Sequence, residues 1–598
     1  MPIHTRCGRP PASNRRSALA WALTAALAAC APVGPPEPVT PAIATPAATP
    51  ARGVPYDVLI EGGHVVDGTG NPWYPADVAL RGDRIVAVAP RGTLHDAPAV
   101  RRIDATGRVV SSGFIDIQSH SRFAFLGKGD GRVVSKVTMG VTTEIMGEGS
   151  TNAPVNDRIL EAAGARPGSA AYERMKRFEG PHGFDAWIRA MEEHGASVNF
   201  GSFVGATTIR VFGKGQAMGP ADADALAEMK EAVRHAMEDG AFGLASALIY
   251  PPGNFASTDE LIEISKAMAP YGGVYITHMR SEADRFLEAI DEAIRIGTRA
   301  GVPVEIYHLK AAGKRNWYKA PLAIAKIDSA RAAGVDIQAN MYPYVAGGTG
   351  LTACFPPWAS ADGKLFDNLA DPEMRVKIRR EIEHQTGDWE NLCSLATPEG
   401  VMILGVNKPE NRKYRGMRLS DVASAMGEDW IDAAFDLVLS ERQRIGTIYF
   451  LMSEENVALQ IAQPWIKFGT DAGGLDPETA TGLAHPRAYG TFARILGRYV
   501  REEHVTTLEE AVRKMSSAVA TRLHIPGRGF IKPGYYADVV IFDPNTVADR
   551  ATFEKPHQIS VGFDHVFVNG VEVVDHGRHT GTLPGRPVRG PGWTGWKR

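Results

Sequence analysis

The chain has 598 residues, with 65 Lys and Arg against 68 Asp and Glu and a formal net charge of −3. This length exceeds that of a small disulfide-bonded module and suits one large domain with a smaller one beside it. The balanced charge, without runs of Lys and Arg interleaved with aromatic residues, excludes the electrostatic footprint of a nucleic-acid-binding protein. We therefore expect a small-molecule partner and no nucleic acid.

The first thirty residues predict an export signal. Arg15 and Arg16 precede an apolar run at residues 18–29, which is too short to span a bilayer as a helix. Leu27-Ala-Ala-Cys30 then resembles the bacterial lipobox, in which the cysteine becomes the lipidated first residue of the mature protein. An ordinary cleavable signal with an incidental cysteine is the alternative, and the residues after the paired arginines fit twin-arginine export poorly.

A tether is predicted to follow the signal. Residues 31–54 are rich in Pro, Ala and Thr and lack a periodic apolar pattern, which is typical of an extended linker. With residues 1–30 as the signal peptide, the sequence predicts a periplasmic lipoprotein. It would contact a membrane only through its lipid anchor, and the outer membrane is the favoured one.

Both ends of the remaining chain carry short alternating segments typical of β-hairpins. At the N-terminal end these are residues 58–60, 64–66, 76–80 and 84–89, and at the C-terminal end residues 537–542 and 565–574, with an Asn569-Gly570 turn. We predict that residues 55–110 and 525–598 together build one small β-sandwich domain.

Between these ends, residues 111–524 alternate apolar strands with helical stretches such as 221–238, 258–269 and 285–300. Such alternation predicts an α/β fold of βαβ units, and eight of them fit a (β/α)8 TIM-like barrel. The predicted strands are 109–117, 142–146, 198–203, 243–248, 275–277, 304–307, 336–340 and 467–469. The stretch between the last two is too long for a simple connection, and we expect a lid at about 345–460 over the barrel mouth.

Four cysteines occur, and two of them, Cys7 and Cys30, lie in the leader. Cys354 and Cys393 could pair in an oxidising periplasm, but the sequence alone does not show whether their geometry permits a disulfide. Neither has a histidine neighbour at ligand spacing, so we do not count them as metal ligands.

Four polar side chains follow predicted strands at their carboxyl ends. His278 and His308 each end an apolar run, and Asp471 and His120 follow two further strands. In a parallel barrel successive strands deliver such side chains to one mouth, and neutral imidazole is the commonest metal ligand. The pattern predicts a metal site, with buried structural histidines bonded to the backbone as the alternative.

Several motifs, in order along the chain, carry a family resemblance. They are Gly113-Phe-Ile-Asp116, Gly140-Val-Thr-Thr143, Ile249-Tyr-Pro-Pro-Gly253, Ser257-Thr-Asp-Glu-Leu261, Thr277-His-Met-Arg280, Tyr342-Pro-Tyr344, Gly469-Thr-Asp471 and His485-Pro-Arg-Ala-Tyr-Gly-Thr-Phe492. From about residue 56 onward the chain resembles the amidohydrolase superfamily and, within it, the D-aminoacylases, or N-acyl-D-amino-acid deacylases. The resemblance implies metal-dependent hydrolysis of an amide, with His278 and His308 as ligands and Asp471 as general base. A helix-capping carboxylate is the alternative for Asp471.

The sequence departs from the family pattern at two ligand positions. Gln118 stands where the superfamily usually has the first histidine of His-x-His, and a neutral amide oxygen is a poor ligand for Zn²⁺. Where D-aminoacylases carry a ligating Cys, this chain has Gly147-Glu148-Gly149-Ser150. We predict Glu148 as the third ligand of one tightly bound Zn²⁺, which Mn²⁺ or Co²⁺ can replace, and a salt-bridged carboxylate as its alternative role. His120 and Asp471 would hold at most a weak second ion, and His120 could instead bind substrate.

Further residues are candidates for binding substrate. Arg487 falls where the family grips the amino-acid carboxylate, and a surface arginine is the alternative. Tyr250 and Tyr344 either donate to the substrate carboxylate or oxyanion, or pack in the core. Lys310 and Arg280 lie beside ligands and are candidates to support them, Lys310 also to bind substrate.

The function predicted from these residues is hydrolysis of N-acyl-amino acids, with a preference for D stereochemistry. Two alternatives stay open at this point. One is a dipeptidase or a hydrolase of cyclic or xenobiotic amides on the same barrel, because fold does not fix substrate. The other is a non-catalytic binding lipoprotein on a degenerate scaffold, which the two missing ligands would explain.

Overall fold

The computed structural model describes residues 54–126, 129–385 and 387–595. The predicted signal at 1–30 and all but the last residue of the predicted tether at 31–54 lie outside the described residues. Within these ranges no helix has both the length and the apolar character needed to cross a membrane.

Five strands open the described chain: β1 (Tyr56–Val66), β2 (Tyr74–Arg81), β3 (Arg84–Pro90), β4 (Ala99–Asp104) and β5 (Val109–Ser112). The longest of them, β1, pairs antiparallel with β2 and parallel with β4 and β5 along successive parts of its length. Val58, Ile60 and Val78 pack in one buried cluster, as expected when alternate strand positions face a core.

The central part of the chain alternates strands and helices. Its strands are β6 (Phe114–Asp116), β7 (Val141–Met146), β8 (Asn199–Ser202), β9 (Val204–Gly205), β10 (Gly243–Ala247), β11 (Val274–His278), β12 (Val304–Ile306) and β13 (Ile337–Met341). Its helices are α1 (Val134–Val137), α2 (Asp157–Ala162), α3 (Ala170–Lys176), α4 (Gly183–His194), α5 (Ala206–Lys214), α6 (Ala223–Glu238), α7 (Thr258–Lys266), α8 (Phe286–Ala300) and α9 (Lys319–Ala332). The observed strands confirm the predicted strands at 142–146, 243–248 and 304–307, and α6, α7 and α8 confirm the three predicted helices.

The sequence of α8 shows how a helix in this region is specified. Phe286, Ile290, Ala293 and Ile296 are buried and recur at helical spacing, so one face of α8 packs against the core. The helix ends at Gly301, which adopts a left-handed conformation that costs glycine little. The chain then enters β12 and reaches His308.

An inserted segment separates β13 from the next parallel strand. It contains β14 (Ala346–Gly350), α10 (Leu365–Ala370), α11 (Pro372–His384), α12 (Leu392–Ala396), β15 (Val401–Ile403), α13 (Leu419–Met426), α14 (Trp430–Glu441) and β16 (Gly446–Phe450). The three strands form an antiparallel sheet in the order β14-β16-β15. The insert has a hydrophobic cluster of its own, and Cys354 and Cys393 within it form a disulfide, the pairing that the sequence left open.

The chain after the insert comprises α15 (Glu454–Ile461), β17 (Ile466–Phe468), α16 (Arg487–Arg494), a π-helix at Ile495–Glu502, α17 (Leu508–Met515), α18 (Ser517–Arg522), β18 (Val539–Phe542), β19 (Phe563–Val568), β20 (Val571–Asp575) and β21 (Arg578–His579). β18 pairs antiparallel with β5, so strands from both ends of the chain share one nine-stranded sheet.

The parallel strands pair in two runs that meet at both ends. β6, β7 and β8 form one run, and β9, β10, β11, β12, β13 and β17 form the other. β9 follows β8 after a single residue, and a parallel bridge between Ser119 and Ala472 joins the chain after β6 to the chain after β17. The carboxyl ends of these strands therefore converge on one region of the molecule.

Candidate metal centre and cavity

Three of the predicted ligands converge at the carboxyl ends of their strands. His278 is the last residue of β11. His308 lies two residues after the end of β12, and Glu148 lies two residues after the end of β7. Nδ1 of His278 lies 3.2 Å, and Nε2 of His308 lies 3.3 Å, from Oε1 of Glu148. The ligand atoms of all three residues lie within 4.8 Å of one another. The structure therefore brings together the set that the sequence predicted.

The residues present fit a divalent cation. Two imidazoles and one carboxylate are a donor set used by hydrolytic zinc sites. Nε2 of His278 is buried without a hydrogen-bond partner in the described part of the chain, which is unusual for a polar atom. Three ligand groups at this spacing, one of them an imidazole whose other nitrogen has no hydrogen-bond partner, give a bound ion a physical role.

A second set shares Glu148. Nε2 of His120 lies 2.8 Å from Oδ1 of Asp471 and 3.4 Å from Oε2 of Glu148, and these three residues also have ligand atoms within 4.8 Å of one another. Gln118 does not join either set as a ligand. Its amide nitrogen donates to Oε2 of Glu148 at 2.6 Å, so it holds the carboxylate between the two sets.

The backbone at two of these residues is in the left-handed region. His308 has φ of 32° and Asp471 has φ of 48°, although neither is glycine. Such conformations are uncommon for side chains of this size and cluster at functional sites. Each lies just beyond the end of a parallel strand, where the turn aims the side chain into the convergent region.

A carboxylate that sequence reasoning missed supports His308. Oε1 of Glu282 accepts from Nδ1 of His308 at 2.9 Å and from Nζ of Lys310 at 2.6 Å. When His308 is neutral and its Nδ1 donates to Glu282, Nε2 carries the lone pair that a cation would bind. Glu282 lies four residues after His278. No sequence motif indicates it, because its role depends on β11 and β12 lying side by side.

The charges of the site favour ionised carboxylates. Burial raises the pKa of Glu148, but the charge of His308 and hydrogen bonds from all three histidines outweigh it and hold the pKa well below its usual range. Burial likewise raises the pKa of Asp471, but the charge of the adjacent Arg487, the hydrogen bond from His120 and the charge of His308 together lower it below its usual value. Burial lowers the pKa of His120, yet its hydrogen bonds to Asp471 and Glu148 and the negative charges of both carboxylates raise it to about 9. Anionic ligands are the form that a cation requires.

Arg487 is the first residue of α16 and is buried. Its Nη1 lies 2.7 Å from Oδ2 of Asp471, and its guanidinium stacks over the ring of Tyr342 at 4.4 Å. The structure thus places it against the predicted general base, behind the cavity wall, and its predicted contact with a substrate carboxylate stays a prediction.

A cavity of about 250 Å³ opens onto the ligands. His120, Glu148, His278, His308 and Asp471 are among the residues that line it. The inserted segment supplies much of the remaining wall, through Gly347, Gly348, Thr349, Leu392, Arg444, Tyr449 and Leu451. A cavity of this size suits a small ligand.

Among the predicted substrate residues, Tyr250 and Lys310 line this cavity. The structure places Tyr344 elsewhere: its hydroxyl donates to Asp549 at 3.3 Å, and its ring packs edge-on against His485. Tyr342, two residues earlier, stands on the cavity wall instead. Side chains two residues apart after a strand need not share a direction once the chain leaves the strand, and the motif contained both tyrosines. Tyr344 therefore takes the packing role that the sequence left open, and Tyr342 is the tyrosine of this motif that lines the cavity.

Arg280 lies away from the ligands. It forms an ion pair with Glu292 and donates to the backbone oxygens of Asn254 and Ala256. These contacts tie α8 to the loop before α7, so Arg280 supports the fold around the site.

Comparison with known proteins decides the family. The Amidohydrolase family matches residues 443–574. D-aminoacylase from Alcaligenes xylosoxydans xylosoxydans is 33% identical over 540 residues, which cover 89% of this chain and 97% of that protein. The chain belongs to the D-aminoacylase family of amidohydrolases. The resemblance drawn from the motifs is confirmed, and so is the prediction of an amidohydrolase enzyme.

Solved structures of the D-aminoacylase family agree over nearly the whole chain. A D-aminoacylase with a binuclear metal centre, activated by one metal and attenuated by the second, has a TM-score of 0.73 and 33% identity, covering 90% of this chain and 100% of that one. An N-acyl-D-glutamate deacylase from Bordetella bronchiseptica, in complex with zinc and a phosphonate inhibitor, has a TM-score of 0.71 and 31% identity over the same shares of the two chains. The predicted α/β fold is confirmed, and family membership speaks against a non-catalytic binding protein.

Proposed function

We propose that the protein hydrolyses the amide bond of N-acyl-amino acids, with D stereochemistry preferred, to a carboxylate and a free amino acid. The observation that carries the proposal is the convergence of Glu148, His278 and His308 on the wall of a cavity in a D-aminoacylase-family chain. The preference for D substrates is supported by relatives that act on N-acyl-D-amino acids and share about a third of this sequence.

Glu148, His278 and His308 would hold one divalent ion, Zn²⁺ in the first place and Mn²⁺ or Co²⁺ as substitutes. When bound, such an ion supplies Lewis acidity, which lowers the pKa of water and polarises a carbonyl group. A single tight site is supported by Gln118, which replaces an imidazole of the second set and donates a hydrogen bond from its amide nitrogen to Glu148. It is also supported by the D-aminoacylase relative in which one metal activates and the second attenuates.

Asp471 acts as the general base in this proposal. Its carboxylate faces the cavity with Oδ1 beside His120 and Oδ2 beside Arg487, and its lowered pKa keeps it ionised at neutral pH. An ionised carboxylate at this position can take a proton from the attacking water and pass it to the leaving nitrogen. Arg487 and His120 orient the carboxylate, because each occupies one of its two oxygens.

The remaining cavity residues bind and orient the substrate. Nζ of Lys310 uses one of its three N–H donors on Glu282, and the side chain lines the cavity next to the ligand His308. That position suits the α-carboxylate of an N-acyl-amino acid, which lies close to the scissile bond. Tyr250, whose ring contacts His278 edge-on at 5.3 Å, is placed to donate to the oxyanion that forms from the carbonyl.

The architecture fits this chemistry. In our proposal the parallel strands close into one (β/α)8 barrel, supported by the bridge between Ser119 and Ala472. The insert at about 345–460 acts as a lid, supported by its share of the cavity wall. The nine-stranded sheet from both chain ends corresponds to the β-sandwich domain. We keep the periplasmic lipoprotein with an anchor at Cys30 as a proposal that rests on the leader sequence alone.

The test is a panel of N-acetyl-amino acids, offered as D and L enantiomers to the purified full-length protein, with release of free amino acid as the readout. We expect kcat/KM for D substrates to exceed that for L by at least about 100-fold, because opposite enantiomers exchange two groups in a shaped cavity. Asp471→Asn should abolish release. Hydrolysis of dipeptides or cyclic amides without release from any N-acetyl compound would overturn the proposal in favour of the alternative amide hydrolases.

A further inference from the structure

Most charged groups that line the cavity are already neutralised by a neighbour. Lys310 pairs with Glu282 at 2.6 Å, and Asp471 pairs with Arg487, just behind the wall, at 2.7 Å. Glu148 faces His278 and His308. Arg444 also lines the cavity and is exposed, yet no ion pair joins it to a carboxylate anywhere in the described ranges.

Arg444 reaches the cavity from the insert. It lies two residues before β16, whose Gly446 pairs with Gly350 of β14. The side chain of Arg444 passes so close to Gly350 that a methyl group on residue 350 would approach its Cγ to 3.3 Å. The antiparallel pair β14 and β16 thus fixes the direction in which the guanidinium projects.

Two phenol side chains, the half-buried Tyr250 and the buried Tyr449, line the same cavity as this guanidinium. Burial raises the pKa of Tyr250 and of Tyr449, and the positive charge of Arg444 acts on both in the opposite direction. Tyr250 in turn contacts the ligand His278. Tyr250 thus lies near both the ligand His278 and Arg444 on the cavity wall.

The charge of the loaded site leaves room for two negative charges. Three carboxylates, Glu148, Glu282 and Asp471, face two cationic side chains, Lys310 and Arg444, on the cavity wall. A divalent ion and the adjacent Arg487 then leave an excess of two positive charges when every histidine is counted as neutral, and of three when His120 is protonated. An N-acyl-amino acid with a neutral side chain supplies one negative charge, and one with an acidic side chain supplies two.

We propose that Arg444 determines specificity by binding a second carboxylate, carried on the side chain of an acidic N-acyl-amino acid such as an N-acyl-glutamate. The inference rests on the proposed function and deepens it. A guanidinium matches a carboxylate with two parallel hydrogen bonds, and this one has no competing carboxylate to displace. The α-carboxylate goes to Lys310, which touches the ligand His308, whereas no hydrogen bond or ion pair within the described ranges joins Arg444 to a ligand.

The decisive comparison uses N-acetyl-D-glutamate and N-acetyl-D-glutamine, which have nearly the same shape and differ in one charge. The wild-type ratio of their kcat/KM values should favour glutamate, and Arg444→Met should lower that ratio by about 10- to 100-fold, the range for a hydrogen bond to a charged group. Arg444→Lys should keep part of the preference. Arg442→Met is the matched control, because Arg442 stands two residues away, stacks over Phe366 at 4.9 Å and should leave the ratio unchanged.

A binding measurement separates this inference from the proposed function. Calorimetry with the products D-glutamate and D-glutamine needs no turnover, and wild type should bind D-glutamate more tightly while Arg444→Met loses that difference. Preference in binding without hydrolysis of any N-acetyl compound would overturn the proposed function alone. An unchanged glutamate to glutamine ratio in Arg444→Met, including an equal loss on both substrates, would overturn the role of Arg444. So would a wild type without preference for glutamate.

Discussion

At the residue scale, the two departures from the family's ligand pattern are linked. The sequence shows Gln118 in place of a histidine and Glu148 in place of a cysteine as separate changes. In the structure the Gln118 amide donates to Oε2 of Glu148, while Oε1 of the same carboxylate faces His278 and His308. A carboxylate has two oxygens and needs an outer donor to fix which one faces the ligands. Gln118 provides that donor, so the substitutions act as a pair.

This pairing predicts the effect of removing the amide. Gln118→Ala should weaken binding of the tight ion by about 10- to 100-fold, the usual cost of losing a partner that orients a ligand. The affinity can be measured by competition with a chromophoric chelator. Gln338→Ala is a suitable control, because Gln338 lies on β13 and donates no hydrogen bond to the site but accepts one from Lys467. Equal affinity in the wild type and in Gln118→Ala would show that Glu148 needs no such support.

Site residues that directly follow a strand could be predicted from the sequence. Site residues whose position depends on how two strands pair could not. His278 and His308 end apolar runs, which the sequence displays directly. Glu282 and Arg444 enter the site only because β11 lies beside β12 and β16 beside β14. Tyr342 was within reach, since its motif was recognised, but the sequence could not tell which of two tyrosines turns inward.

At the element scale, β7, β10 and β12 were predicted well because each is a short, fully buried segment with aliphatic residues between turn residues. The insert shows the opposite case. Its strand β14 has the sequence Ala-Gly-Gly-Thr-Gly, which lacks an apolar alternation and a preference for strand conformation. β14 exists because β16 pairs with it along five residues. Local sequence could indicate the insert by its length but not its internal sheet.

Packing between α17 and α15 gives a pH-dependent contribution to stability. Lys514 on α17 is fully buried, and its Nζ donates to the backbone oxygen of Ile461 at the end of α15, at 2.8 Å. A cation at a helix C-terminus is favourable, but burial lowers the pKa of Lys514 to about 8, against the smaller opposing effect of Glu510. Because the unfolded lysine titrates near 10.5, the unfolded state binds more protons between pH 8 and 10.5.

Because the unfolded state binds more protons in this window, the stability of the fold depends on pH. The free energy of unfolding should rise with pH across this window in the wild type, by up to about 3 kcal/mol relative to Lys514→Met, which has nothing to titrate. Urea unfolding at pH 7.5, 9 and 10 measures it. Lys408→Met, at an exposed position, should follow the wild type. If Lys514→Met follows the wild type as well, the lysine is solvated and its packing role is refuted.

At the scale of the whole molecule, segments from both ends of the described chain pair with each other on either side, in sequence, of the part that carries the site. β5 and β18 join them in one sheet, and the C-terminal segment continues to the parallel strands. The backbone nitrogen of Phe200 in β8 donates to the backbone oxygen of Arg586, and the backbone nitrogen of Val588 donates to the backbone oxygen of Phe200. The sequence predicted that residues 525–598 belong to a shared terminal domain. It did not predict that residues 586–588 bond to β8, because residues 584–590 carry no strand pattern. Only the assembled fold exposes the edge of β8 that they cover.

The convergence of strands from distant parts of the chain makes metal binding a property of the folded state alone. Glu148, His278 and His308 are separated by 130 and 30 residues along the chain, so the unfolded chain has no such site. Binding therefore stabilises the native state, by about 4 kcal/mol when the free ion exceeds its dissociation constant a thousandfold. We expect that treatment with a chelator lowers the unfolding midpoint, and that one equivalent of Zn²⁺ restores it.

The stoichiometry of that restoration distinguishes the two ligand sets, because they share Glu148 but differ in their other members. Asp471→Asn damages only the second set, so it should leave the gain in midpoint at one equivalent intact. His278→Ala damages only the first and should abolish the gain. If two equivalents are needed in the wild type and Asp471→Asn halves the effect, both sets bind tightly and the single-ion proposal fails. Because unfolding is measured without substrate, this result does not depend on which amide the enzyme cleaves.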